Sequence, residues 1–148
     1  MVDTSRTRRL WIAIHFENRL LLAVMKLLAG NAEISFEGDL SSLGLLDLAG
    51  ASTNETEILR RNTIWPRQDY VVVPLTPDTI QLIFRAIGGT IPQGIIHIQI
   101  AKEGKLEFGA YDRFHPDALT FGEIFRKDFL DDLVSQGILE PKPASAHV

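Results

Sequence analysis

Two short runs, Ile95 to Ala101 and Lys105 to Tyr111, alternate apolar and polar residues with a period of two. Only a pleated strand sends successive side chains to opposite faces, so both runs read as β-strands. Ile96, Ile98 and Ile100 share one face of the first run, and Leu106, Phe108 and Ala110 share one face of the second. These faces must coincide in a hairpin, because a slip of one residue would turn one apolar set into water. Matching them pairs Ile100 with Leu106, Ile98 with Phe108 and Ile96 with Ala110, and leaves Lys102-Glu103-Gly104 as the loop. Gly104 then supplies the left-handed residue such a loop needs. On the opposite face this register sets His97 across from Gly109, with Glu107 and Tyr111 on its diagonals. Gln99 then faces Glu107. That face is only half polar, so a further element or a partner is expected to cover it.

Around this hairpin the chain punctuates itself into alternating strands and helices. Leu10 to Phe16 reads as a strand, and Glu17 to Ala29 as a helix of strong helix formers stopped by Gly30-Asn31. The helix carries Leu20, Leu21, Leu22, Val24, Met25, Leu27 and Leu28, so nearly its whole circumference is apolar. Such a helix is a core element, or else a seam between two copies of the chain. Ala32 to Glu37 alternates as a strand. Leu43 to Leu48 is expected to form one short helix capped by Ser41 or Ser42, and Gly50 to Thr56 is a loop. Thr56 to Asn62 reads as an edge strand, and Ile64-Trp65-Pro66 as the start of a turn.

Tyr70 to Leu75 is a continuous run rich in β-branched residues, as expected of an inner strand, with Pro74 at its end. Thr76-Pro77-Asp78 has the composition of a helix start, and Ile80, Ile83, Phe84 and Ile87 follow at helical spacing up to Gly88-Gly89. Asp112 to Gly122 reads as loop. A last helix spans Arg126 to Gln136, with Phe129, Leu130 and Leu133 inward and Gly137 as its cap. Residues 1–8 and 140–148 read as flexible polar tails. The sum is one α+β domain over 1–148: a mostly antiparallel sheet of five or six strands, two helices packed on it and a third, C-terminal helix.

Several function classes lose their support at this stage. The chain has no cysteine, which removes disulfides, thiolate metal sites and a cysteine nucleophile, and fits a reducing, cytoplasmic compartment. Its formal net charge is -4, which argues against nucleic acid as the main partner. No apolar run approaches the ~20 residues that span a bilayer, so no membrane is expected. No phosphate-binding glycine loop, H-E-x-x-H pair or nucleophile elbow occurs, and no cofactor is implied.

Three groups of residues remain as candidates. Asp112, His115 and Asp117 follow a strand end and supply two carboxylates and an imidazole, the donors of a divalent metal site or of a histidine general base held by an aspartate. The same residue types are also ordinary turn formers. His97, Glu107 and Tyr111 share the second face of the hairpin. Asp128, Asp131 and Asp132 give the last helix a negative outer side suited to a basic protein partner. Arg60, Arg61 and Arg67 with Trp65 could contact phosphates or an acidic partner, or simply keep an edge from aggregating. The lack of a catalytic motif, the acidic balance, the half-apolar second face and the apolar helix 17–29 favour a non-enzymatic interaction domain that neutralises or regulates another protein, such as a bacterial immunity or antitoxin protein. A homodimer through helix 17–29 is compatible with it. The alternative is a small hydrolase, metal-dependent or based on His and Asp, using Asp112, His115 and Asp117.

Overall fold

The computed structural model describes residues 10–12 and 16–141. Its order is β1 (Leu10–Ile12), α1 (Glu17–Leu28), β2 (Ala32–Gly38), β3 (Asp69–Leu75), α2 (Ile80–Ala86), β4 (Ile95–Lys102), β5 (Lys105–Ala110), β6 (Leu119–Phe121), α3 (Lys127–Ser135) and β7 (Leu139–Pro141). Five strands form one antiparallel sheet in the order β3-β2-β4-β5-β6, while β1 and β7 pair separately. The fold is therefore α+β, with a five-strand antiparallel sheet and three helices.

Alternation along the strands builds the main core. Ile34 and Phe36 of β2, Val71, Val73 and Leu75 of β3, Ile98 and Ile100 of β4, and Phe108 of β5 are buried in one cluster. Leu20, Leu21, Val24, Met25 and Leu28 of α1 and Ile80 and Ile83 of α2 belong to the same cluster. The broad apolar surface of α1 is thus accounted for within the chain, with Leu27 as its one exposed large apolar residue. Its C-terminal end is closed by Lys102, whose ammonium donates to the carbonyls of Leu28 and Gly30 at 3.1 and 2.6 Å, where a cation also meets the negative end of the helix dipole. A row of rings, Phe108, Phe121, Phe125 and Phe129, carries the core from the sheet to α3. That helix ends in a Schellman turn: Ile138 N–H donates to Leu133 O, and Gly137 N–H to Val134 O.

The hairpin register departs from the one its periodicity predicts. Lys102 pairs with Lys105 and Ala101 with Leu106, then the ladder shifts and Ile100 pairs with Phe108, Gln99 with Gly109 and Ile98 with Ala110. Glu103 and Gly104 form a two-residue turn with φ of 51° and 82°, the positive pair that a type I′ turn requires. A bulge at Glu107 then restores the in-phase apolar face. Leu106, displaced to the other side, is 41% exposed. The same bulge takes Glu107 away from the β4 ladder.

Other boundaries also differ. Thr56 to Asn62 is irregular chain, because it lies across the sheet and not along its edge. β3, expected inside, is the edge strand, and an edge tolerates Pro74, which pairs with Glu33 but has no N–H to donate. A bridge between Ser52 and Val72 covers that edge. The short helix near Leu43 is a 3₁₀ turn over Gly44–Asp47. Helix α2 begins one turn later than Thr76-Pro77-Asp78 suggests, because Thr76 and Thr79 bond each other's backbone N–H first. The stretch 112–122 holds a 3₁₀ turn at Pro116–Ala118 and the short edge strand β6, added to β5 by the pairs Phe108–Phe121 and Ala110–Leu119. Glu140 and Pro141, read as tail, belong to β7. Residues 1–8, 13–15 of the first predicted strand and 142–148 lie outside the described residues.

Candidate functional site

The second face of the sheet is where polar chemistry collects. Strand alternation puts Ser35 and Glu37 of β2, Tyr70 and Val72 of β3, and His97, Gln99 and Ala101 of β4 on this side. Cross-strand pairing sets Tyr70, Glu37 and His97 in one row, and Val72, Ser35, Gln99 and Gly109 in the next. Residues 51–68 lie over these rows as a strap. Its apolar anchor is Leu59, fully buried in a small separate core with Tyr70, Val72 and Ala101. Thr56 shapes the approach, its hydroxyl accepting the N–H groups of Ile58 and Leu59 at 3.2 and 2.8 Å.

The remaining anchors are hydrogen bonds from strap to sheet. Glu37 is 1% exposed, and its two carboxylate oxygens accept the N–H groups of Asn62 and Thr63 at 2.7 and 3.1 Å. Gln99 accepts from Arg60 N–H at 3.2 Å and donates to the Tyr111 hydroxyl at 3.0 Å. Tyr111 reaches that position because Gly109 has no side chain: a Cβ there would lie 2.5 Å from the tyrosine ring. Arg61 closes the strap on itself, donating to Gln68 O and stacking its guanidinium 5.0 Å from the centre of the Tyr70 ring. Glu55 accepts from Arg60 Nε and Arg61 N–H, both at 3.0 Å, and these contacts hold its pKa below the ordinary value, the Arg61 N–H most of all.

His97 belongs to this network and not to Glu107. It pairs across the ladder with Glu37, and its ring stands 5.7 Å from that of Tyr111. Nδ1 accepts the N–H of Asp112 at 3.1 Å, so Nε2 carries the proton and donates to Thr63 Oγ1 at 2.8 Å. Burial lowers its pKa, and the attractions of Glu37 and Asp112 for a positive ring do not overcome that. Tyr70 is pushed up, chiefly by burial, and its hydroxyl has no hydrogen-bond partner among the described residues. Ser35 stands near enough to oppose the rise but outside hydrogen-bond geometry.

The other predicted site residues scatter. Asp112, His115 and Asp117 are all exposed, and the His115 Nδ1 accepts the Asp117 N–H at 3.1 Å as the cap of the Pro116–Ala118 turn. Among the described residues no three His, Asp or Glu side chains converge to hold a metal ion. Asp128, Asp131 and Asp132 are exposed along α3 as expected, but each has a local partner: the Phe129 N–H, the Lys127 ammonium and the Gln136 amide. Sequence reasoning missed Glu37, Asn62 and Thr63, because nothing in the chain marks β2 as the neighbour of β4 or the strap as its cover. The half-apolar second face was the one available signal, and it is answered by the strap.

Beyond Thr63 the strap turns away from the sheet. Ile64 is 94% and Trp65 84% exposed, next to the exposed Arg67, while Thr63 before the tip is tied to His97 and Gln68 after it is tied to Arg61. The result is a short apolar tip on a pinned base. Compared with known protein families, curated proteins and solved structures, the chain matches none.

Two outcomes follow from the anchors. Glu37→Gln replaces one acceptor oxygen by an amide that faces a backbone donor, and should lower stability in urea unfolding by about 1–3 kcal/mol, the cost of a buried polar group left unpaired. For His97 the folded pKa lies below the ordinary 6.5, so the unfolded chain takes the proton first. Stability should therefore fall as pH drops from about 6.5 towards the lowered folded value. This decline should be smaller in His97→Gln when both proteins are melted across that window. Equal declines in both would show that His97 does not titrate in this way.

Proposed function

We propose that this chain is a non-enzymatic protein-interaction domain that docks through the strap tip Ile64-Trp65. The observation that carries the reading is the near-complete exposure of these two large apolar residues on a segment whose base is fixed by Glu37, Gln99 and His97. A single exposed apolar residue is ordinary, but an exposed Trp beside Ile on a held loop offers a partner large contact area with little ordering entropy to lose. Trp and Arg are also the side chains most often found to dominate binding energy. Arg60 and Arg67 are exposed on the two sides of the tip, which suits an apolar socket with an acidic rim. An anionic bilayer suits it less, since the chain as a whole carries -4. Neutralising or regulating a partner protein is an activity this geometry can perform, because it needs a surface and no reacting group. The negative side of α3 is the competing surface, for a basic partner.

The hydrolase reading gains less support. His115 is exposed, and its Nδ1 is engaged by the turn it caps.

Affinity capture from lysate of the source cell separates the surfaces, with bound proteins quantified by mass spectrometry. A partner should bind the wild type and lose at least about tenfold in affinity with Trp65→Ala, roughly 1.4 kcal/mol or more. It should survive Asp128→Lys, Asp131→Lys and Asp132→Lys combined. Trp65 is a surface residue, so its removal should leave the fold intact. Loss only in the triple reversal would move the interface to α3. Binding indifferent to Trp65, or binding of the protein to anionic vesicles instead, would refute docking of a protein at the tip.

A further inference from the structure

A second site lies on the far side of the His97 row, between the start of α1, the connection before β4 and the turn after β5. A cavity of about 310 Å³ opens there, with Glu17, Asn18, Ile91, Pro92, Arg113 and Phe114 in its wall. The size sits at the lower end of small-molecule pockets, which run from about 300 to 1,000 Å³.

The turn that supplies Arg113 is unusual. Asp112, Arg113 and Phe114 have φ of 54°, 56° and 62°, three consecutive left-handed residues with no glycine among them. Each costs roughly 1–2 kcal/mol in an L-residue, and such a run persists only where its surroundings fix it. Here they do. Asp112 N–H is held by His97 Nδ1, Arg113 N–H by Ile96 O and His115 N–H by Tyr111 O, while Phe114 is buried in the main core. The turn also fixes the Arg113 side chain, whose Nε donates to Gln93 O at 2.7 Å. Its two terminal nitrogens have no acceptor among the described residues. Glu17 lines the same cavity, and its carboxylate has no partner there either. An arginine and a glutamate that share a small cavity without pairing offer two charged points, with an apolar wall of Ile91, Pro92 and Phe114 beside them. Asn18 holds the connection in place by donating to Gly89 O at 3.4 Å.

We propose that this cavity binds a small zwitterion, a free α-amino acid with an aliphatic side chain. Its carboxylate takes the planar fork of Arg113, which matches two oxygens at once. Its ammonium faces Glu17, and its side chain lies on Ile91, Pro92 and Phe114.

The test is a titration of the ¹⁵N-labelled full chain followed by amide chemical shifts, with L-leucine as probe. Two half-probes accompany it: 4-methylpentanoate, which lacks the amine, and 3-methylbutylamine, which lacks the carboxylate. L-leucine should give saturable shifts at Asn18, Ile91 and Phe114, and each half-probe should bind at least tenfold more weakly. Arg113→Gln should weaken L-leucine and 4-methylpentanoate at least tenfold and leave 3-methylbutylamine unchanged. Glu17→Gln should weaken L-leucine and 3-methylbutylamine at least tenfold and leave 4-methylpentanoate unchanged. If Arg113→Gln loses its dispersed spectrum, Arg113→Lys keeps the charge without the fork and should still weaken L-leucine. No saturable shift at millimolar L-leucine, or shifts that neither variant alters, would overturn the assignment.

Discussion

A buried carboxylate that has to find donors organises the unexpected half of this molecule. Glu37 sits in the middle of the sheet, between Tyr70 and His97, on a face where a charge out of water would be costly unless bonded. The strap meets that need with two consecutive backbone N–H groups, and those bonds fix where residues 62 and 63 lie. Leu59 on one side and the Thr63–His97 contact on the other set the rest of its path. The arrangement is mutual: without the strap Glu37 lacks its backbone donors, and without Glu37 the strap loses the centre of its attachment. The tip at Ile64-Trp65 is held out because its neighbours are held down.

The same row joins the two proposed surfaces. His97 gives its Nε2 proton to the strap and takes the Asp112 N–H on Nδ1, so one imidazole fixes the strap on one side and the left-handed turn that positions Arg113 on the other. Burial holds the pKa of this ring below its ordinary value, and a second proton would also have to displace the Asp112 contact. His97, a candidate site residue in the sequence, thus joins the strap to the turn through both of its ring nitrogens.

How much of this was legible follows from which interactions are local. Alternation in 95–101 and 105–111 revealed the hairpin and its buried face, and helical spacing revealed α1, α2 and α3, because each pattern is set by neighbours a few residues away. The bulge at Glu107 was not legible: a three-residue loop and a two-residue turn with a bulge both keep Ile98, Ile100 and Phe108 inward. That ambiguity misplaced Glu107 beside His97. Nor was the Glu37–His97 pair legible, since it depends on β2 lying next to β4 across 60 residues of chain. In the sequence Trp65 is only a companion of Arg60, Arg61 and Arg67, because its setting on a pinned strap exists only once the second face is assembled. Asp112, His115 and Asp117 drew attention through composition, and composition alone does not distinguish a capped turn from a site.

Native-state hydrogen exchange at the Asn62 and Thr63 amides tests the central claim most directly. If Glu37 pins the strap, both amides should be protected in the wild type and exchange much faster in Glu37→Gln, while Ile98 and Ile100 in the sheet centre stay protected in both. Unprotected amides at 62 and 63 in the wild type would contradict the account, because the strap would then have no fixed base at Glu37.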